Sequence, residues 1–233
     1  MHRILPGLYT FSGLGLGRVY LIRDPDGLTL IDTSIGSAAD KIVTQIRRAG
    51  GSARDVRRIL ITHAHPDHIG GLPRLKELTG AEVICSEIER PVTEGKAPIN
   101  RPPPDQLRGP LGRLRGAALL PGTPVDRVVG EGDTLPEVMG GLRVLAVPGH
   151  APGHLAFWQP ERGVLFCGDV MMRAGGLRLP IAPFTADMEE NRRSITKLAA
   201  LDTRVLCLGH GVPLTQHTAA AIRAFAAREG RPQ

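Results

Sequence analysis

The sequence predicts a layered fold of mixed strands and helices, α+β or α/β in class. Three observations point there. Short apolar runs of strand length recur along the chain, among them 58–61, 144–147, 164–167 and 205–208. Stretches with apolar residues at helical spacing alternate with strand-like runs, as at 37–49 and 72–78. Each of the four runs leads directly into a polar, glycine-bearing turn: His63 to His68, His150 to His154, Asp169, and His210. In layered α/β folds the C-terminal ends of strands are where ligands and chemistry collect.

The N-terminal elements come first. Tyr9–Phe11 and Val19–Ile22 read as a hairpin. Its tip, residues 12–18, is glycine-rich but lacks the G-x-G-x-x-G spacing of a dinucleotide site. Leu28–Ile31 is a third strand after the turn Asp24-Pro25-Asp26-Gly27, and it delivers Asp32. Residues 37–49 form a helix with Ile42, Val43 and Ile46 on one side, stopped by Gly50-Gly51. Residues 58–61 are a buried strand, 72–79 a helix, and 81–85 another strand.

Residues 91–124 differ in character. Seven of the chain's 20 prolines lie between Pro91 and Pro121, and Lys96, Arg101, Arg108, Arg113 and Arg115 outnumber Glu94 and Asp105. Short helices are expected at 105–109 and 111–119, and the segment as a Pro/Arg-rich insertion or lid over the site. Residues 125–133 are expected to open the second half of the fold. Strands follow at 142–147 and 155–158, then a helix from near Asp187 to Leu201 and a last helix from Thr218 to Ala227. The whole chain, 1–233, reads as one domain with two similar lobes.

Composition bounds the function. Apolar residues make up 42% of the 233 residues, enough for a sizeable core. Aromatics are 3%, so that core rests on Leu, Val, Ile and Ala. Three cysteines, at 85, 167 and 207, form no disulfide framework. The absence of an 18-residue apolar stretch removes a transmembrane helix. Met1–Gly7 is too short for a signal peptide, so a cytoplasmic location is expected. The formal charge is +6, carried by 25 Arg and four Lys against 23 acidic residues. Such an excess attracts anions, but no aromatic platform for single strands accompanies it, so nucleic acid is not expected as a partner.

The chemistry lies in the turns. Three of the eight histidines fall within 63–68, together with Asp67. Neutral imidazoles and carboxylates are ligands for zinc, manganese or iron. There is no G-x-S-x-G elbow to supply a serine nucleophile instead.

The order H-x-H-x-D-H, P-G-H-x-P-G-H, G-D, G-H-G resembles the metallo-β-lactamase-fold hydrolase superfamily, over most of the chain from about Gly7 to Val212. The resemblance implies a four-layer αβ/βα sandwich with two divalent metal ions, most often Zn2+, with Mn2+ or Fe2+ as alternatives. It implies that His63, His65 and His150 hold one metal. Asp67, His68 and His210 would hold the other, and Asp169 would bridge both. Asp67 is also the expected catalytic proton carrier. His154 and Asp32 are expected to support the ligands from behind. Leu14, Leu16 and Tyr20, in or beside the glycine-rich tip, are the expected substrate contacts.

The implied activity is a binuclear hydrolase that cleaves small ester, lactone or thioester substrates with a metal-bound hydroxide. Asp169 argues against a dedicated β-lactamase, since one such branch carries Cys there and another lacks a bridging carboxylate. Glyoxalase-II-like thioesterases share the bridging Asp but usually carry a C-terminal helical region. Many lactonases of the superfamily place a Tyr soon after the bridging Asp; here 170–173 is Val-Met-Met-Arg, and the only tyrosines are Tyr9 and Tyr20. The alternatives are a mononuclear iron enzyme like the persulfide dioxygenases, a hydrolase of β-lactams or phosphodiesters, and a non-catalytic sensory module. A small-molecule substrate is the expected partner, and a homodimer is compatible with the sequence.

Overall fold

In the computed structural model, residues 1–100 and 119–229 are described. Arg101, Arg108, Arg113, Arg115 and the helices expected at 105–109 and 111–119 fall on or across the remainder, so the lid reading lies outside the described residues.

Two sheets carry the fold. The first has seven strands in sequential order: β1 (His2–Leu5), β2 (Leu8–Thr10), β3 (Tyr20–Asp24), β4 (Gly27–Ile31), β5 (Val56–Leu60), β6 (Glu82–Cys85) and β7 (Arg127–Val128). β1 to β4 are antiparallel neighbours, whereas β4, β5, β6 and β7 run parallel. The second sheet joins β8 (Thr134–Leu135), β9 (Leu142–Ala146), β10 (Leu155–Gln159), β11 (Val164–Gly168) and β14 (Val205–Leu208) in the order β14-β11-β10-β9-β8. A small hairpin of β12 (Met172–Arg173) and β13 (Leu177–Arg178) stands apart.

The helices are α1 (Ala39–Arg48), α2 (Pro66–Ile69), α3 (Leu72–Thr79), α4 (Arg90–Thr93), α5 (Met188–Ala199) and α6 (Thr218–Glu229). Their ends follow local chemistry. Asp187 caps α5 by accepting the Glu190 N–H at 2.9 Å, and Gly80 ends α3 in the left-handed region at φ 72°.

Strand alternation builds three cores and hence four layers. Along β10, Leu155 and Phe157 face one way, Ala156 and Trp158 the other. Along β11, Val164 and Phe166 oppose Leu165 and Cys167. Tyr20, Ile22, Ile31, Leu60 and Ile84 of the first sheet meet Val144, Phe157, Phe166 and Cys207 of the second in the central core. On the outer side of the first sheet, Leu21, Leu30, Ile59 and Val83 pack with Ile42, Val43 and Ile46 of α1 and Leu75 of α3. On the outer side of the second, Trp158, Leu165 and Leu206 pack with Ile195 and Leu198 of α5 and Phe225 of α6. This is the αβ/βα sandwich the sequence implied. No helix among the described residues is long and apolar enough to cross a membrane.

One expectation needs correction. Residues 125–129 do not open the second half: β7 pairs with β6, Ile84 opposite Arg127, and closes the first sheet. The edge strands β1 and β8 are not legible in the sequence, because neither carries a clean alternating run.

Candidate metal centre

The parallel pairs explain why distant residues meet. β4, β5 and β6 run side by side, so Asp32, the 62–68 turn and Ser86–Glu89 all leave the same edge. β11 is parallel to β14, and β9 is antiparallel to β10, which is antiparallel to β11. Hence the 148–154 turn, Asp169 and His210 leave one edge of the second sheet. The two edges are tied together: Leu155 N–H donates to the Thr62 carbonyl at 2.8 Å, and Arg18 N–H to the Gly209 carbonyl at 2.8 Å.

The expected ligands converge. His63, His65 and His150 bring one ligand atom each to within 4.8 Å of one another, as do His63, His68 and Asp169, and Asp67, His68 and His210. His65 Nδ1 faces His150 Nε2 at 3.0 Å. His210 Nε2 lies 3.0 Å from Asp67 Oδ2 and 3.1 Å from Asp169 Oδ2. Asp169 also reaches His150 Nε2 and His68 Nε2, each at 3.5 Å, so it stands between the groups.

Neighbouring residues set the imidazole orientations. His63 Nδ1 is 3.0 Å from Thr62 Oγ1, which itself donates to Asp32 Oδ2 at 2.8 Å. His68 Nδ1 donates to Asp32 Oδ2 at 2.8 Å. His65 Nε2 faces the Asn100 carbonyl at 3.4 Å. His150 Nδ1 is 3.2 Å from Thr185 Oγ1, whose own proton goes to the Ile181 carbonyl at 3.1 Å. Four rings thus give an N–H outward and turn their second nitrogen inward. At the centre, His63 Nε2, His68 Nε2 and Asp169 Oδ1 are buried without a hydrogen-bond partner among the described residues. Buried polar atoms are rarely left so. Inward lone pairs from nitrogen and carboxylate oxygen are the donor set a divalent cation takes, so these residues fit one.

Electrostatics divides the cluster. Burial pushes His63, His65 and His154 down and brings His150 to about 3, leaving these rings neutral. Burial also opposes charge on His68, but Asp169 and Asp32 override it and raise the ring well above its ordinary value. Burial opposes charge on Asp67 too, yet the His210 hydrogen bond holds the carboxyl at about 2. His63, His65 and His150 therefore offer free lone pairs, while His68 and His210 offer protons that a cation would replace.

Asp32 and His154 lie behind the ligands. His154 is fully buried, and its Nε2 accepts the Asp169 N–H at 3.3 Å. Leu16 lines the cavity over the ligands. Leu14 and Tyr20 do not line it, and Leu14 instead borders a smaller neighbouring cavity that His210 also lines. Leu14 packs into the outer core of the first sheet. Tyr20 occupies an inward position of β3, packs edge-on against Phe166 at 5.4 Å, and donates to the Leu208 carbonyl at 2.7 Å. The tip itself is pinned. Gly17 sits at φ 69° with its α-carbon against the Asp67 carbonyl, where a β-carbon would fall 1.7 Å from that oxygen.

Three supporting residues escape sequence reasoning: Glu89, Thr185 and Asn100. Glu89 is buried between two ligand turns, its Oε2 accepting the Ala64 N–H at 2.9 Å and its Oε1 the Gly153 N–H at 2.8 Å. None of the three belongs to a spaced motif, so the sequence holds no signal for them.

The sequence profile of the metallo-beta-lactamase superfamily matches residues 12–210. The chain belongs to that superfamily. A probable metallo-hydrolase, YflN, of Bacillus subtilis (strain 168) is 30% identical over 220 residues, covering 86% of this chain and 82% of that protein. A hydroxyacylglutathione hydrolase of Ectopseudomonas mendocina (strain ymp) is 31% identical over 192 residues, covering 81% of this chain but 60% of that protein. The metallo-beta-lactamase family protein TTHA1429 from Thermus thermophilus superposes with a TM-score of 0.71 at 28% identity, over 97% of this chain and 80% of that one. BJP-1, a subclass B3 metallo-beta-lactamase of Bradyrhizobium japonicum, gives 0.70 at 27% identity, over 96% and 88%. Superfamily membership and these named hydrolases make the protein a metal-dependent hydrolase.

Proposed function

We propose that the protein is a binuclear hydrolase of small ester, thioester or lactone substrates. One observation carries the reading: four imidazoles from two sheet edges direct a ring nitrogen toward a carboxylate, Asp169, that lies between two ligand groups. The hydroxyacylglutathione hydrolase relative supports thioester cleavage, although the chain spans only 60% of its length. Zinc suits five His and two Asp best, with manganese or iron accommodated by the same donors. His63, His65 and His150 would hold one ion, and Asp67, His68 and His210 the other, with Asp169 shared. When bound, such ions lower the pKa of coordinated water to about 7 and polarise a carbonyl oxygen.

The chain's own groups do the rest. Asp67 and Asp169 supply two negative charges, fewer than two divalent ions bring. The residual positive potential favours the oxyanion that develops at an attacked carbonyl. Asp67 lines the cavity and hydrogen-bonds His210, so its carboxylate is placed to take a proton from attacking water and pass it to the leaving atom. Asp32 and Thr62 keep His63 and His68 in their ligand tautomers.

Metal analysis of purified protein, followed by assay on acyl thioesters, aryl esters, lactones, β-lactams and phosphodiesters, tests this. About two zinc or manganese per chain with turnover of the first three classes is expected. One iron per chain with oxygen consumption on a persulfide, or turnover confined to β-lactams or phosphodiesters, overturns it.

A further inference from the structure

A cavity of ≈ 430 Å³ opens directly over the ligand groups. His65, Asp67, His150, Asp169 and His210 form its floor. Its walls are Leu16 from the tip, Ile35, Ile99, Met172, Ile181 and Phe184. Among the described residues no Lys or Arg lines it, and Asn100 is the one polar wall residue outside the ligand set. That lining is selective in a chain with 29 basic residues.

The rim is equally one-sided. Leu16, Ile181 and Phe184 are 61%, 53% and 43% exposed, and they come from two parts of the chain to one mouth. Large apolar side chains gathered around a pocket mark a surface that something apolar covers. A charged substituent drawn into this space would lose its water and find no counter-charge on the walls that the described residues form. An apolar one would gain by burial. The volume is within the range of small-ligand sites, about 300–1,000 Å³.

We propose that the cavity seats the acyl side of the substrate, and that this acyl group is a neutral aliphatic or aryl chain of medium length. The inference rests on the hydrolase reading of the metal centre. Water adds across the acyl–sulfur or acyl–oxygen bond: a carbon–oxygen bond forms, the bond to the leaving atom breaks, and one proton passes to that atom. The products are a carboxylic acid and a thiol or alcohol. The apolar chain stays on the acid, against Leu16, Ile181 and Phe184.

The full-length, zinc-loaded protein is assayed on S-acyl-N-acetylcysteamine thioesters from acetyl to octanoyl. kcat/KM is expected to rise about threefold to fourfold per added methylene until the cavity is filled. Adipoyl, with a terminal carboxylate, should fall at least tenfold below hexanoyl. Phe184→Ala and Ile181→Ala should flatten the slope. The same chain-length series of alkanohydroxamates, followed by titration calorimetry, reads affinity without turnover. A rising affinity with no thioester, ester or lactone turned over would leave the cavity assignment standing and sink the hydrolase reading. Affinity that is absent, flat or falling with chain length overturns the cavity assignment itself.

Discussion

Asp32 Oδ2 accepts the His68 Nδ1 proton at 2.8 Å across 36 residues of chain. The same oxygen accepts the Thr62 hydroxyl at 2.8 Å, and that hydroxyl faces His63 Nδ1. One buried carboxylate thereby orients a ligand in each half of the centre. Asp32 also sits at φ 59°, in the left-handed region that Asp and Asn tolerate better than other side chains.

Asp32→Asn keeps that backbone and removes the double acceptor. The amide cannot accept from Thr62 N–H, Thr62 Oγ1 and His68 together, so the rings lose their fixed tautomers. Metal affinity should fall about 10–100-fold. Competition against a chelator of known affinity measures it. Unchanged affinity would mean that the tautomers are set elsewhere.

Glu89 links the turn holding His63 and His65 to the turn holding His150. Burial raises its carboxyl pKa, and the Ala64 and Gly153 N–H groups oppose that rise. Glu89→Gln places an NH2 against one of these donors and strands it. A loss of about 1–3 kcal/mol is expected for one unmatched buried donor. Urea midpoints of the metal-free protein, where the clamp acts alone, give the direct reading.

The difference between Asp32 and Glu89 shows what a sequence exposes. Asp32 ends a visible apolar run, as do the seven ligands, and strand ends can be counted by eye. Glu89 follows Cys85 by several residues through an irregular turn, and its partners lie 25 and 64 positions away. Thr185 and Asn100 act through one atom each, in loops without period. Tyr20 misleads for a related reason. Alternation along β3 puts Tyr20 and Ile22 in the central core and Leu21 outside, but proximity to the glycine-rich tip suggests the pocket. β7 escapes assignment because a two-residue strand carries no pattern at all.

Loading the centre should release protons. Burial pulls His210 down, but hydrogen bonds to Asp169 and Asp67 override it and push the ring up to about 9. His68 is raised as well. His210 therefore carries its proton near pH 7 in the metal-free chain, His68 is biased the same way, and a cation must displace such protons. At least one proton per chain, that of His210, should appear on loading near pH 7, and affinity should climb with pH up to about 9. Calorimetry in buffers of different ionisation enthalpy counts them; zero release would contradict the ion-pair geometry. The stability signs follow. His210, raised from 6.5, stabilises the metal-free fold fully below 6.5, and this is lost as pH rises through about 9. Asp67, lowered from 3.8, stabilises above 3.8, and this is lost as pH falls through about 2.

Gly168 tests whether the turn before the shared carboxylate tolerates any side chain. It lies at φ 51°, and a β-carbon there would fall 2.3 Å from His154 Nε2 and 3.0 Å from the Thr62 β-carbon. His154 Nε2 is also the acceptor of the Asp169 N–H, so displacing the ring displaces the ligand. Gly168→Ala should cost about 1–2 kcal/mol for the backbone and a further 1–3 kcal/mol for the forced contact. Gly175→Ala is the matched control: φ is 70° and nothing lies within 4 Å of its β-carbon, so only the backbone component applies. Denaturant midpoints of the two variants separate the components, and metal affinity should fall for Gly168→Ala alone. Equal losses in both would mean that His154 yields freely, and that its packing does not hold Asp169 between the two ligand groups.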